Sequence, residues 1–122
     1  MGTRSRIGTK KDDLYLSIYC HWDGYPDNNG KILKNNYTNH DVVCKLLSFG
    51  DLSSLSKTIE ECEFYSKDRN EDPTVPKYYR SFDDLIANAF NAWEEYFYFF
   101  DPDTKSWTCF DRRKNKIDLS DY

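Results

Sequence analysis

Residues 15–26, YLSIYCHWDGYP, contain a regular strand pattern and the point at which that pattern ends. Apolar and polar side chains alternate along the first half, which predicts a strand with one apolar face. Gly24 and Pro26 interrupt the pattern, so Trp22 lies where the strand becomes a loop. Loops anchored by a strand often carry binding residues. Trp22 therefore either closes the core or faces a ligand.

Two hairpins are predicted, one near each end of the chain. The first joins a strand at residues 4–8 to Leu14–Cys20 through a polar turn at residues 9–13. The second joins residues 95–101, EYFYFFD, to Ser106–Asp111 through the turn DPDTK. The strand at 95–101 is so aromatic that both of its faces need to be covered.

Helices are predicted between the hairpins. A short helix follows Pro26 in the run DNNGKILKNNY, and a clearer one begins with Thr38 and Asp41 arranged as a capping box. Gly50 is placed to end this second helix. The last helix begins at Ser81, which has a carboxylate three residues further on in the same capping pattern.

The remaining segments read as turns and irregular structure. Residues 50–56 are expected to form a tight turn or one helical turn that places two leucines inward. Residues 58–65 fit a strand or a helix, and extended structure is favoured. Residues 67–76, KDRNEDPTVP, are polar with two prolines and predict a loop, in which Arg69 is either solvated or a ligand contact. The polar tail after Arg113 is expected to be loose.

Length and composition indicate one domain covering residues 1–122. The expected fold class is α+β, with an antiparallel β-sheet built from the N-terminal and C-terminal hairpins and decorated with helices. Aromatic residues make up 17% of the chain, with ten Tyr and eight Phe. Because this exceeds what a small core hides, the composition favours self-association.

The charge distribution favours a small anionic ligand over a long nucleic acid. The net charge is −4 and the sequence pI is near 5.1, whereas nucleic-acid binders are typically basic. Two local basic clusters remain, and they consist of Arg4, Arg6, Lys10 and Lys11, and of Arg112, Arg113, Lys114 and Lys116.

Cysteine spacing and hydropathy bear on the compartment. The four cysteines are widely spaced without a CxxC pair, which disfavours a disulfide framework or a zinc site. No apolar run has membrane-spanning length, and the charged N-terminus lacks a signal-peptide core. A reducing cytoplasm is therefore expected.

Catalysis has little support in the sequence. His21 and Asp23 could form an orienting pair, but no nucleophile elbow, phosphate-binding loop or dinucleotide fingerprint is present. Hydrolysis by two carboxylates stays open, because the chain has 21 acidic residues. We expect a protein that is not an enzyme, with no catalytic residue, metal or cofactor.

Binding of a nucleotide-like ligand has better support. Such a ligand needs aromatic or guanidinium planes, cations for phosphate and amides for hydroxyls. Phe82 begins the last helix, Asn91 follows its other end, and Arg112 and Arg113 come directly after the last strand. The alternatives are that Phe82 packs the helix on the sheet and that the arginines only solubilise a strand end.

Several blocks together resemble the phage Thoeris anti-defence sponge proteins, the first such family described. They are RSRIG at 4–8, SIYCHWDGYP at 17–26, GKIL at 30–33, LLSFGDLSSL at 46–55, and EEYFYFFD with WTCFD near the C-terminus. The likeness covers nearly the whole chain, and the blocks occur in the same order. The chain departs from the pattern at Asn70, where Gly is expected, which puts Arg69 in doubt.

The resemblance implies capture, without cleavage, of a cyclic ADP-ribose isomer made by host TIR-domain proteins. It implies homodimers or hexamers in the host cell cytoplasm, pockets at the dimer interface, and in some members a separate site for cyclic oligonucleotides. Phe82 resembles the base-contacting aromatic residue and Arg113 a basic pocket residue. We add Trp22, Asn91, Arg112, Arg69 and His21 on physical grounds. The alternatives are a cyclic-nucleotide hydrolase and a protein-binding inhibitor of a host defence protein.

Overall fold

The computed structural model describes residues 3–65 and 77–122. Within these residues, eight strands form a mixed, mostly antiparallel sheet with helices packed around it, which confirms the predicted α+β class. The strands are β1 Ser5–Lys11, β2 Leu14–Cys20, β3 Leu52–Ser54, β4 Glu63–Phe64, β5 Lys77–Tyr79, β6 Tyr96–Asp101, β7 Ser106–Asp111 and β8 Lys116–Ile117. Their order across the sheet is β4-β3-β2-β1-β6-β7-β8, and β5 also pairs with β2.

Both predicted hairpins are present. β1 pairs with β2 in antiparallel register from Ser5 opposite Cys20 to Lys11 opposite Leu14, so the turn is shorter than residues 9–13. Asp12 makes this turn with a φ of 56°. β6 and β7 form the second hairpin. The two hairpins meet through a parallel pairing of β1 with β6, which the expectation of an antiparallel sheet did not include.

Three α-helices are described: α1 Lys31–Asn36, α2 His40–Ser48 and α3 Phe82–Asn88. A π-helical turn, Pro26–Gly30, leads directly into α1, and short 3-10 turns occupy Ile59–Glu61 and Leu119–Asp121. The helices expected after Pro26, near residue 40 and after Ser81 are therefore confirmed. None of the described helices has the length and hydropathy needed to cross a membrane.

The cap of α2 differs from the prediction. The Asp41 backbone N–H donates to Asn39 Oδ1 at 2.8 Å, so Asn39 caps the helix instead of Thr38. Asn39 is extended, with φ −122° and ψ 132°, and directly precedes the first helical residue. Gly50 ends the helix as expected, since its φ is 86° and its N–H donates to the Leu47 carbonyl at 3.1 Å.

Short strands account for most of the other differences. The segment expected to be a tight turn contains β3, because Leu52 extends the sheet beside Cys20. The extended segment at 58–65 begins with the 3-10 turn before β4. The tail expected to be loose contains β8 and a buried Leu119. The predicted loop at 67–76, with Arg69, lies outside the described residues.

Apolar side chains cover both faces of the sheet. Tyr98 and Phe100 of β6 lie in the main core with residues of β1, β2, α1 and α2. Phe97 and Phe99 point to the other face, where α3 packs. This confirms that the aromatic strand is covered on both sides. Phe99 is only half-buried, however, so the cover over the second face is incomplete.

Candidate functional site

A cavity of about 370 Å³ lies where α3 leaves the second face of the sheet uncovered. We call it the aromatic pocket. Its residues share one side of the sheet, the first turn of α3 and the β6–β7 turn. They are Lys10, Tyr15, Phe82, Phe99, Asp101, Pro102, Asp103, Thr108, Phe110 and Lys116.

Phe82 is the central ring of this pocket. Ser81 caps α3, since its Oγ accepts the Asp84 backbone N–H at 3.1 Å, and this fixes Phe82 as the first helical residue. The Phe82 ring centroid lies 5.0 Å from that of Phe99 and 5.7 Å from that of Phe110. Phe82 is half-buried, so it packs α3 on the sheet and also lines the cavity.

Charged groups of both signs surround the rings. The Lys10 ammonium lies 5.6 Å from the centroid of the Tyr15 ring. Lys116 of β8 lies opposite Phe110 of β7. β6 and β7 separate the strands of these two lysines, and the register aligns Lys116 with Arg6, four residues before Lys10. The two lysine backbones are therefore about 20 Å apart. Asp101 caps the β6–β7 turn by accepting the Asp103 backbone N–H at 2.9 Å.

This arrangement suits a small ligand with a planar group and negative charge. Cavities that hold small molecules typically measure about 300–1,000 Å³ and are mostly apolar with a few polar groups. Aromatic rings provide stacking surfaces for bases, and lysines attract phosphates. The sequence prediction included Phe82 but missed Tyr15 and Phe99. Strand alternation could have found Tyr15, which points away from the face of Leu16 and Ile18. It could not have found Phe99, because both faces of β6 are aromatic.

Arg112 and Arg113 lie in a second depression of about 310 Å³, which Glu95, Tyr96 and Asp111 also line. We call it the arginine groove. Both arginines are exposed, and the Arg113 backbone N–H donates to Asp111 Oδ1 at 2.9 Å. The Arg112 guanidinium carbon lies 5.6 Å from the centroid of the Trp93 ring.

Asn91 and Trp93 belong to the segment that connects α3 to β6. Asn91 is exposed, and its side-chain amide donates to Asn88 Oδ1 at 3.0 Å. Trp93 is 69% exposed, which makes it the most exposed of the large hydrophobic side chains in the described chain. Asn91 therefore lies two residues before Trp93, and its amide is hydrogen-bonded within its own turn.

His21 and Trp22 lie at the end of β2. The Tyr19 hydroxyl and His21 Nδ1 are 2.8 Å apart, so the hydrogen-bonded partner of His21 is Tyr19 and not Asp23. The rings of His21 and Trp22 meet edge to face at 4.6 Å, and Trp22 is 43% exposed. Burial raises the pKa of Tyr19.

The structure does not bring all the predicted residues into one site. The aromatic pocket and the arginine groove have no lining residue in common. The strand register aligns Cys20, Ser5, Tyr96 and Asp111 across the sheet. Trp22 and Arg112 therefore follow strands at the same end of the sheet, but about 14 Å apart across it.

Thiol chemistry finds little support in this geometry. The four cysteines are free, and Cys20, Cys62 and Cys109 are buried. Burial raises the pKa of Cys20 to about 11 and that of Cys109 to about 12, which keeps both thiols protonated near neutral pH. Within residues 3–65 and 77–122, no three His, Cys, Asp or Glu side chains are grouped as metal ligands would be.

Comparison of the chain with protein-family models, with curated proteins and with solved structures returned no match.

Proposed function

We propose that this protein binds and sequesters, without cleaving it, a cyclic ADP-ribose isomer made by TIR-domain proteins of a bacterial host. As a phage anti-defence protein it would then block Thoeris immunity. The observation that carries the proposal is the aromatic pocket, in which Phe82 is surrounded by rings and flanked by Lys10 and Lys116. The motifs that resemble the sponge family supply the identity of the ligand.

The chemistry of such a ligand matches the groups in the pocket. Its base offers a planar surface for Phe82, and its diphosphate offers charge to the lysines. The carboxylates of Asp101 and Asp103 at the edge of the pocket can accept hydrogen bonds from ribose hydroxyls. The volume of about 370 Å³ is within the usual range for small-molecule sites.

The proposal includes a homodimer or hexamer in the host cytoplasm. Phe82 and Arg113 lie in separate depressions of one chain, whereas the family resemblance assigns both to the ligand site. A second copy could bring its arginine groove to the aromatic pocket and so complete the site. Arginine suits this role because its planar guanidinium binds phosphate in two-point contacts. A separate site for cyclic oligonucleotides, as in some family members, belongs to the same proposal.

Sequestration requires tight binding, because each protein molecule removes one signal molecule and turns over nothing. Every tenfold gain in affinity corresponds to about 1.4 kcal/mol of binding free energy. A stacked base contributes roughly 1–3 kcal/mol. Stacking on Phe82 is therefore expected to account for a factor of at least about five in the affinity.

Calorimetric titration with a panel of cyclic ADP-ribose isomers tests the proposal. We expect Phe82→Leu to weaken binding of the best isomer at least about fivefold, because leucine keeps the apolar packing but lacks a planar ring. Phe49→Leu is the matched control. Phe49 is also partly exposed, at 38%, but it packs against Phe64 away from the pocket.

Two further measurements separate the alternatives. Release of intact ligand after heat denaturation supports sequestration, whereas a linear product would show hydrolysis. Native mass spectrometry of protein incubated with the isomers reports the bound mass and the number of subunits. If no isomer binds to the wild-type chain, the proposed function is wrong and a protein-binding inhibitor becomes the better hypothesis.

A further inference from the structure

Trp93 adopts a backbone conformation that is unfavourable for a bulky side chain. Its φ is 66°, in the left-handed region, which tryptophan rarely occupies. The ring is 69% exposed, so burial in this chain does little to offset the unfavourable backbone. Residues held in strained backbone conformations cluster at functional sites, such as active sites and ligand-binding segments.

A buried ion pair holds one neighbour of Trp93 in place. The Glu94 side chain is 1% exposed, and its Oε2 lies 3.6 Å from Arg6 Nη1. Its Oε1 accepts the Ala92 backbone N–H at 2.6 Å. Arg6 is fixed in turn, because its Nε donates to Ser17 Oγ at 3.2 Å.

Arg4 fixes the same segment from its other side. Its Nη1 donates to the Ala92 carbonyl at 3.1 Å, and its own carbonyl accepts the Glu95 backbone N–H at 2.8 Å. Hydrogen bonds therefore hold the backbone on both sides of Trp93. The segment presents the indole to solvent in a defined position, so the exposure of Trp93 does not come from a loosely held loop.

Trp93 lies beside Arg112, one of the two arginines of the arginine groove. The guanidinium carbon of Arg112 lies 5.6 Å from the centroid of the indole, within cation–π range, and Arg113 follows it in the same groove. An indole next to the Arg112 guanidinium, with Arg113 in the same groove, combines a stacking surface with phosphate donors. This combination fits a ligand that has both an aromatic heterocycle and a phosphate.

We propose that Trp93 and Arg112 form a second binding plane for the nucleotide ligand, separate from Phe82. The indole contacts the base or the sugar, and Arg112 and Arg113 bind phosphate. This inference rests on the proposed function and adds a residue to its site. In a dimer, Phe82 of one copy and Trp93 of the other would then contact the same ligand from different sides.

The test uses Trp93→Gly in the full chain, with the best-binding cyclic ADP-ribose isomer as the probe. Glycine adopts a φ of 66° without strain, so the variant is expected to unfold within about 2 °C of wild type. Binding is expected to weaken at least tenfold. Ligand addition is expected to quench tryptophan fluorescence less in the variant than in the wild type, because the variant keeps only Trp22 and Trp107.

Asp12→Gly is the matched control, because Asp12 has a φ of 56° and lies in the β1–β2 turn at the other end of the sheet. It is expected to bind and quench as wild type does. If Trp93→Gly does not fold, Trp93→Leu is judged by the same two readouts. Affinity within twofold of wild type, or equal quenching in the variant and the wild type, overturns the inference and leaves the proposed function standing. A wild-type chain that binds no isomer overturns both.

Discussion

Because the thiol of Cys20 is buried, the protein is expected to become less stable at alkaline pH. Its thiol is buried at the end of β2, where Asn29 Nδ2 lies 3.4 Å from the sulfur. Burial raises the pKa of Cys20 from 9.0 to about 11 in the folded chain. Between these values the unfolded chain has lost its proton while the folded chain keeps it. The free energy of unfolding therefore falls as pH rises from about 9 to 11.

We expect Cys20→Ala to reduce this pH dependence. Urea denaturation at pH 8 and pH 10 measures the difference, and the variant should lose about 1 kcal/mol less than wild type over that interval. The free energy of unfolding is still expected to fall with pH in both proteins, because burial also raises the pKa values of Cys109 and Tyr98. Equal losses in the two proteins would show that Cys20 ionises at the same pH in the folded and unfolded states.

Residue burial was predictable where it follows strand periodicity. Alternation in residues 15–26 places Leu16 and Ile18 in the core, and the structure buries both. The same pattern does not reveal Glu94, a carboxylate that is buried by a partner 88 positions earlier in the chain, Arg6. Local sequence carries no information on such a pair, because its stability depends on a contact that exists only in the folded sheet.

At the level of elements, the cap of α2 gives a direct comparison of two adjacent residues. The Asn39 side chain accepts the Asp41 N–H, whereas Thr38 is exposed one position earlier. We expect Asn39→Ala to lower the free energy of unfolding by about 1 kcal/mol, since it leaves a helix N–H without its partner. Thr38→Ala should change it by less than about 0.5 kcal/mol. Chemical denaturation measures both changes in the free energy of unfolding. A larger effect of Thr38→Ala would show that Thr38 caps the helix, as the sequence predicts.

Elements that depend on local signals were predicted well. The two hairpins have strong turn chemistry, and α2 and α3 have apolar spacing together with a polar residue at the start. β3 and β8 were missed, because strands of two or three residues form only when a longer strand offers hydrogen bonds beside them. Part of the aromatic pocket was missed for a related reason. Lys10 and Phe99 come together through the pairing of β1 with β6.

For the molecule as a whole, the last residues contribute to the core. Leu119 is 5% exposed in the main core, and the Lys34 ammonium donates to its carbonyl at 2.8 Å. We expect Leu119→Ala to lower the free energy of unfolding by roughly 2–4 kcal/mol, because it leaves a cavity. Leu14→Ala is the control, since Leu14 is 40% exposed and should cost less than about 1 kcal/mol. Similar urea midpoints for the two variants would show that Leu119 is not packed in the core and that the tail is loose, as the sequence predicts.

The parallel pairing of β1 with β6 also has a consequence for how the chain folds as it is made. Residues 5–9 of β1 align with residues 96–100 of β6, so this pairing joins residues about 90 positions apart in the sequence. During synthesis, the first hairpin leaves the ribosome long before its neighbour exists, and one side of β1 stays open until then. Contacts this distant in sequence slow folding, and unpaired strand edges invite association. A ribosome that pauses before residue 96 would therefore carry a nascent chain with an exposed sheet edge, which a chaperone could protect.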